Sequence, residues 1–281
     1  MQVTGQQRLL PLFYHPNKEN LMFEDFEQRF GPKSIDDIVF AAQSARELIE
    51  DLVTGARPFP VTEGKCGILL YGIPGTGKSA LAKLLPNAIE RARAGEDAYE
   101  RYERVQPGNN GLKMMHTIAN QAMLMPFARH HYFVLDEVDQ LNKDAMPILK
   151  SVMNYPHTVW VLTTNHFGDI EAGVKDRCHC MPFNAAPAAH WFGLARRILS
   201  QAGVTGITDL QLAAVITPCN GSARQITDAV VQLALQVRRS KSTQPASVVQ
   251  HDTSNSNPPD QRVFLCLYQN PRAHEKTPPP L

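Results

Sequence analysis

Three short apolar runs are the most regular feature of the hydrophobic pattern. They lie at 67–71 (GILLY), 131–135 (HYFVL) and 158–162 (TVWVL). Continuous apolar runs of this length are typical of strands that are buried on both faces of a sheet. Helical patterns lie between them, including one that begins at Lys78. Because strands alternate with helices, the pattern predicts an α/β fold with a parallel sheet.

The chain on either side of these runs has a different character. A helical pattern begins at Ser34, which is a suitable helix cap. From about Pro187 the pattern is helical with little strand signal, at 188–202, 208–216 and 222–239. Residues beyond 239 are rich in Ser, Thr, Gln, Asn and Pro, a composition typical of flexible chain. The predicted organisation is an N-terminal extension (1–29), an α/β domain (30–186), a helical lid domain (187–239) and a flexible tail (240–281).

A glycine-rich turn follows the first apolar run. Residues 72–79 (GIPGTGKS) fit the pattern G-x-x-x-x-G-K-[ST] at every fixed position, between a predicted strand and a predicted helix. Such a loop wraps a phosphate with backbone N–H groups at a helix N-terminus. Lys78 is expected to reach the β- and γ-phosphates, and Ser79 to bind Mg²⁺. The residues predicted to hold ATP here are Gly72, Pro74, Gly75, Thr76, Gly77, Lys78 and Ser79.

Two adjacent carboxylates, Asp136 and Glu137, follow the second apolar run. Asp136 is expected to hold the Mg²⁺, directly or through water. Glu137 is expected to act as the general base that polarises the attacking water. Taken alone, the pair is also compatible with a solvated strand end. Its place after the phosphate-binding loop favours a P-loop ATPase with ATP and Mg²⁺ as cofactors.

Further segments resemble the clamp-loader group of AAA+ ATPases, which includes replication factor C small subunits and the γ/τ-like subunits of DNA polymerase III. Residues 136–141 (DEVDQL) resemble the DExD box of that group, and 144–153 resemble the helix after it. Residues 29–39 resemble the segment beside the adenine, which implies that Ile38 and Val39 form apolar walls for the base. Asn165 stands where the family carries the sensor 1 residue, which can orient the attacking water.

The same resemblance implies two functional arginines. Residues 175–178 (KDRC) are similar to the Ser-Arg-Cys motif of the family, with Asp176 in place of the serine. The resemblance implies that Arg177 acts in trans, on the ATP of a neighbouring subunit, and hence that the protein forms a homo- or hetero-oligomer. A surface ion pair with Asp176 is the alternative for this arginine. Residues 220–226 resemble the sensor 2 segment, which implies that Arg224 reaches the phosphates in cis.

The resemblance implies a sliding clamp and DNA as partners. Residues 7–14 (QRLLPLFY) resemble a short clamp-binding peptide, in which Leu10, Leu12 and Phe13 would fill an apolar pocket and Gln7 would bond at its edge. An apolar arm folded on the protein's own core is the alternative. The segment 111–122 (GLKMMHTIANQA) occupies the place where clamp loaders approach DNA, and it also fits a methionine-rich packing helix.

Three functions remain open at this stage. The first is a clamp-loader-like ATPase that acts in DNA replication. The second is a regulatory or adaptor AAA+ ATPase that binds the clamp and changes partners with its nucleotide state, which is favoured because the tail leaves little chain for the collar domain of clamp loaders. The third, a protein-threading ATPase, is disfavoured because 109–112 contains no aromatic-glycine pore motif.

Composition and charge add little to this picture. The net charge of +1 neither supports nor excludes a nucleic-acid partner. The five cysteines include no CxxC pair, and the spacing of Cys178-His179-Cys180 is wrong for a usual zinc site, so we expect the triplet to lie in a strand. No apolar run approaches the roughly 18 residues of a membrane span. We therefore expect a soluble cytoplasmic protein without a membrane partner.

Overall fold

The structure, a computed structural model, describes residues 30–242. The predicted clamp-binding peptide, with Gln7, Leu10, Leu12 and Phe13, lies outside the described residues, as does the chain beyond 242. The strands are β1 (Gly67–Tyr71), β2 (Glu100–Arg104), β3 (His131–Asp136), β4 (Thr158–Thr164) and β5 (Cys178–Pro182). The helices are α1 (Gln43–Thr54), α2 (Lys78–Ala94), α3 (Leu112–Ala122), α4 (Ala145–Val152), α5 (Ala172–Asp176), α6 (Phe192–Gln201), α7 (Asp209–Ile216) and α8 (Ala223–Ser242).

The five strands form one parallel sheet in the order β2-β3-β4-β1-β5. Side chains alternate between its two faces, as the period of two in a strand requires. In β4, for example, Trp160 packs into one core with α3 and α4, while Val159 and Val161 pack into the other with α1 and α2. Both faces are therefore covered, which explains why the central strands are continuously apolar. The predicted α/β fold with a parallel sheet is confirmed.

A third core lies within the helices after the sheet. The buried side chains of α6, α7 and α8 pack together with Trp191 and with Phe30 from the start of the described chain. Helix α8 continues to Ser242, so the regular chain extends slightly past the predicted end of the lid at 239. In the described part of the chain, no helix is both long enough and apolar enough to cross a membrane.

The helical pattern predicted from Ser34 is confirmed at its start, because Ser34 is the N-cap of a helical turn. The chain forms a single 3₁₀ turn there, Ile35–Asp37, and α1 begins only at Gln43. The carboxylate of Asp37 accepts the backbone N–H groups of Lys33 (2.9 Å) and Ser34 (3.2 Å). The predicted cap is therefore present, but it closes one turn and the chain then runs irregularly to α1. The triplet at 178–180 lies in strand β5, as predicted.

Candidate nucleotide-binding site

The glycine-rich loop connects the end of β1 to the first residue of α2. Gly75 has φ of +84° and Gly77 has φ of +104°, in the region that favours glycine. A Cβ on Gly72 would lie 2.7 Å from the backbone oxygen of Phe183, so no larger residue fits there. The loop therefore has the tight backbone expected of a phosphate cradle at a helix N-terminus.

Lys78 lies over this loop. Its ammonium donates to the backbone oxygens of Gly72 (2.9 Å) and Ile73 (2.6 Å). Burial lowers the pKa of Lys78, and the nearby charges of Asp136, Asp139 and Glu137 act in the opposite direction. The structure thus keeps a cation beside the loop, surrounded by acidic groups.

Asp136 ends strand β3 and is 5% exposed. Its Oδ1 accepts hydrogen bonds from the hydroxyls of Ser79 (2.7 Å) and Thr163 (2.5 Å), and its Oδ2 accepts one from Tyr102 (2.9 Å). A serine hydroxyl and a carboxylate in contact are the hard oxygen ligands that Mg²⁺ prefers. The predicted metal pair is therefore brought together, and its donor set fits magnesium.

Glu137 follows in a left-handed conformation, with φ of +62°. Its N–H donates to Thr163 Oγ1 at 3.0 Å, and its carboxylate accepts from the guanidinium of Arg104 at 2.9 Å. Arg104 belongs to β2, which pairs with β3 so that Arg104 lies beside Asp136. The predicted base is therefore in an ion pair. In this arrangement, Arg104 contacts both oxygens of the carboxylate.

Tyr102, Arg104 and Thr163 are contacts that sequence reasoning missed. Tyr102 and Arg104 are two residues apart in β2, and a strand places such residues on one face. Their spacing was the available signal, but the strand itself was not predicted. Thr163 lies near the end of β4, two residues before Asn165.

Asn165 comes directly after β4, which pairs with β3. It therefore lies at the same edge of the sheet as Asp136. The threonine before it, Thr164, donates to the Asp139 carboxylate at 2.7 Å. The position agrees with the sensor 1 expectation, while the orientation of a water by Asn165 stays a prediction.

Arg177 is bound within its own chain. Its Nε donates to Asn154 Oδ1 and its Nη1 to the backbone oxygen of Gly173, both at 2.8 Å. These are different partners from the Asp176 carboxylate considered above. These two contacts use two of the five guanidinium N–H donors, so three donors remain for another partner.

A cavity of about 320 Å³ lies between the loop and the lid helices. This volume falls at the lower end of the range of about 300–1,000 Å³ for ligand pockets. Helix α8 contacts the loop directly, because the N–H of Ala223 donates to the Gly75 oxygen at 2.8 Å. Five of the predicted site residues line this one cavity, namely Ile38, Val39, Thr76, Gly77 and Arg224.

Known proteins resemble this chain in both sequence and fold. The sequence profile described as "ATPase family associated with various cellular activities (AAA)" matches residues 68–182. Replication factor C small subunit 2 of Pyrobaculum aerophilum is 24% identical over 216 residues, which are 75% of this chain and 64% of the relative. Replication factor C subunit 5 of Arabidopsis thaliana is 25% identical over 252 residues, which are 85% of this chain and 61% of the relative. The chain spans less than two thirds of the length of these relatives.

A solved structure shares the fold. The Holliday junction branch migration motor RuvB of Thermotoga maritima superposes with a TM-score of 0.55 at 19% identity, over 74% of this chain and 65% of RuvB. At this identity the likeness shows the fold alone. The family match and the replication factor C relatives agree with the motifs read from the sequence. Residues 68–182 therefore match the AAA ATPase family, and the chain is similar in sequence to clamp-loader subunits.

Proposed function

We propose that this chain binds ATP with Mg²⁺ and hydrolyses it as a clamp-loader-like subunit in DNA replication. The observation that carries the proposal is the contact between Ser79 Oγ and Asp136 Oδ1, beside the ammonium of Lys78 and directly before Glu137. The phosphate ligand and one metal ligand thus come from the first turn of α2, and the other metal ligand and the base come from the end of β3 and the residue after it. Magnesium bound there would neutralise phosphate charge as the γ-phosphate leaves.

Other residues of the site would bind the phosphates and the base and would orient the attacking water. The loop amides and Lys78 would bind the phosphates, and Ile38 with Val39 would hold the base in the cavity. Glu137 would accept the proton of a water that Asn165 orients. Arg224 lines the same cavity from the lid and would approach the phosphates in cis. The pair between Arg104 and Glu137 must open before the base can act.

A sliding clamp is the proposed protein partner. The loop after α3 exposes a patch formed by Met123, Leu124, Met125 and Phe127, with exposures of 65–91%. The backbone oxygen of Leu124 contacts His131 Nε2 at 2.9 Å, so the loop is anchored to the sheet. Exposed apolar clusters mark protein-binding surfaces. The patch and the N-terminal peptide are therefore two candidate contacts with the clamp.

DNA is the second proposed partner. Helix α3 buries Met114 and Met115 and leaves Lys113 and His116 exposed. Its inner face is thus a methionine-rich packing surface, as the alternative reading of the sequence predicted. A contact with DNA would use the exposed side chains of Lys113 and His116 on the outer face. Their charge is the support for DNA as a partner.

The catalytic part is tested with three variants. Lys78→Ala is expected to lose nucleotide binding, measured by calorimetry. Glu137→Gln is expected to bind ATP with near wild-type affinity and to lose hydrolysis, whereas Glu96→Gln, the same change at an exposed position, serves as control. Hydrolysis by Glu137→Gln at the wild-type rate would show that the base is misassigned.

Turnover with partners separates the two candidate functions. A clamp-loader-like ATPase should hydrolyse ATP faster when a sliding clamp and primed DNA are added together. The regulatory alternative predicts slow hydrolysis that these additions do not change. The Arg104–Glu137 pair favours slow turnover of the isolated chain in either case, so the comparison must be made with and without the partners.

Clamp binding is tested by surface plasmon resonance with paired substitutions. Leu12→Ala with Phe13→Ala removes the N-terminal anchors, and Leu124→Ala with Phe127→Ala removes the patch. Leu210→Ala is a matched control, because Leu210 is an 81% exposed leucine in α7. If both double variants bind the clamp as the wild type does, the clamp is not a partner through either surface.

The trans role of Arg177 is tested by mixing two variants. Lys78→Ala cannot bind ATP but keeps Arg177, and Arg177→Ala binds ATP but lacks the arginine. If subunits share sites, the mixture should regain part of the hydrolysis that each variant alone has lost. Hydrolysis at the full rate by Arg177→Ala alone would show that Arg177 has no role in catalysis. Its contacts with Asn154 and Gly173 would then be structural.

A further inference from the structure

The edge strand β2 brings a tyrosine to the metal-binding carboxylate. In the register of the sheet, Tyr102 lies beside Val134 and Arg104 lies beside Asp136. The Tyr102 hydroxyl donates to Asp136 Oδ2 at 2.9 Å. The phosphate-binding loop, the sensor segments and the DExD box do not include this residue.

The two oxygens of Asp136 have different partners. Oδ1 accepts from Ser79 and Thr163, and Oδ2 accepts from Tyr102. A carboxylate held at Oδ1 alone can still turn about its last side-chain torsion, which has a broad energy profile. A donor at Oδ2 fixes that torsion, so Oδ1 stays directed at Ser79.

Tyr102 is suited to donate and not to bind metal. The phenol hydroxyl lies 2.9 Å from Asp136 Oδ2, and it is the donor because an ionised carboxylate has no proton to give. The ring is held by partial burial and by the ammonium of Lys83, which lies 4.6 Å from the ring centroid. Packing therefore fixes the position of the side chain that carries the donor hydroxyl.

We propose that Tyr102 is a positioning residue for magnesium, because it orients the Asp136 carboxylate so that Oδ1 and Ser79 Oγ face the ion together. The inference rests on the proposed ATPase function. Tyr102 would act through Asp136, the carboxylate that its hydroxyl contacts. Partners of this kind commonly affect metal affinity by about 10–100-fold.

The test compares the magnesium dependence of ADP binding in two tyrosine variants. Tyr102→Phe removes only the hydroxyl and keeps the ring beneath Lys83. Tyr132→Phe makes the same change in another tyrosine–carboxylate pair, since Tyr132 donates to Glu90 Oε2 at 2.6 Å. Tyr132 lies at the other end of β3, away from Asp136. Calorimetry measures the Kd of ADP in EDTA and over a series of Mg²⁺ concentrations.

For Tyr102→Phe we expect an unchanged Kd in EDTA and a half-saturating Mg²⁺ concentration about tenfold higher than in the wild type. Tyr132→Phe should keep the wild-type dependence. Equal magnesium dependence in Tyr102→Phe and the wild type would overturn the inference and leave the ATPase proposal intact. An equal shift in both variants would also overturn it, as a general packing effect. A wild-type chain that binds no ADP would refute the proposed function itself.

Discussion

Substituting alanine for Gly75 tests whether the lid helices rest on the phosphate-binding loop in solution. A Cβ on Gly75 would lie 2.6 Å from Ser222 Oγ and 3.4 Å from Ser222 Cβ. Ser222 Oγ accepts the N–H of Gln225 at 3.4 Å in the first turn of α8. The new methyl group therefore forces the Ser222 side chain to rotate away. This rotation breaks the hydrogen bond with Gln225 that caps α8.

The cost can be worked out from two separate contributions. Gly75 has φ of +84°, and an alanine in the left-handed region costs about 1–2 kcal/mol. Loss of a serine cap costs about 1 kcal/mol. Gly75→Ala should therefore lower the free energy of unfolding by about 2–3 kcal/mol. Gly95 is a matched control, because its φ is +77° and a Cβ there would meet nothing within 4 Å. Gly95→Ala should lower the free energy of unfolding only by the backbone contribution of about 1–2 kcal/mol.

The assay is urea denaturation followed by circular dichroism, without nucleotide, for a double-mutant cycle. Ser222→Ala removes the oxygen that the methyl group meets and should cost about 1 kcal/mol by itself. The double variant should then be about 1 kcal/mol more stable than the sum of the two single costs predicts. If the costs of Gly75→Ala and Ser222→Ala simply add, or if Gly75→Ala is no worse than Gly95→Ala, the lid does not contact the loop as the structure has it.

Two further predictions concern charge. Arg104→Ala should raise the hydrolysis rate of the isolated chain and leave KM for ATP unchanged, because it frees the Glu137 carboxylate; Arg101→Ala, which breaks the neighbouring pair with Glu103, should leave the rate as it is. A rate that falls in Arg104→Ala would mean that the arginine assists catalysis. Burial lowers the pKa of His130, so below the ordinary histidine pKa of about 6.5 the unfolded chain takes up a proton before the folded chain does. The free energy of unfolding should therefore fall as pH drops from 7.5 to 5.5, and less steeply in His130→Phe; equal slopes in denaturation curves would contradict the assignment.

The parts of the site that were predictable from sequence are those whose geometry is local. The spacing from Gly72 to Ser79 lies within one turn and the start of one helix, so the motif specifies its own backbone. Asp136 and Glu137 were recognisable because they follow a continuous apolar run, Tyr132 to Leu135. The helical pattern predicted from Ser34 forms only one turn before the chain becomes irregular. A cap signal is local, but whether a helix continues beyond its first turn depends on packing.

The contacts that were missed depend on how distant segments meet. Strand β2 has the sequence ERYER, with none of the continuous apolar character of the central strands, because it lies at the edge of the sheet and pairs on one side only. A polar five-residue stretch of this kind reads as loop. Its register against β3 is what carries Tyr102 to Asp136 and Arg104 to Glu137. The groups that touch ATP can therefore be identified from spacing along the chain, whereas the groups that hold them in place become visible only when the order of strands in the sheet is known.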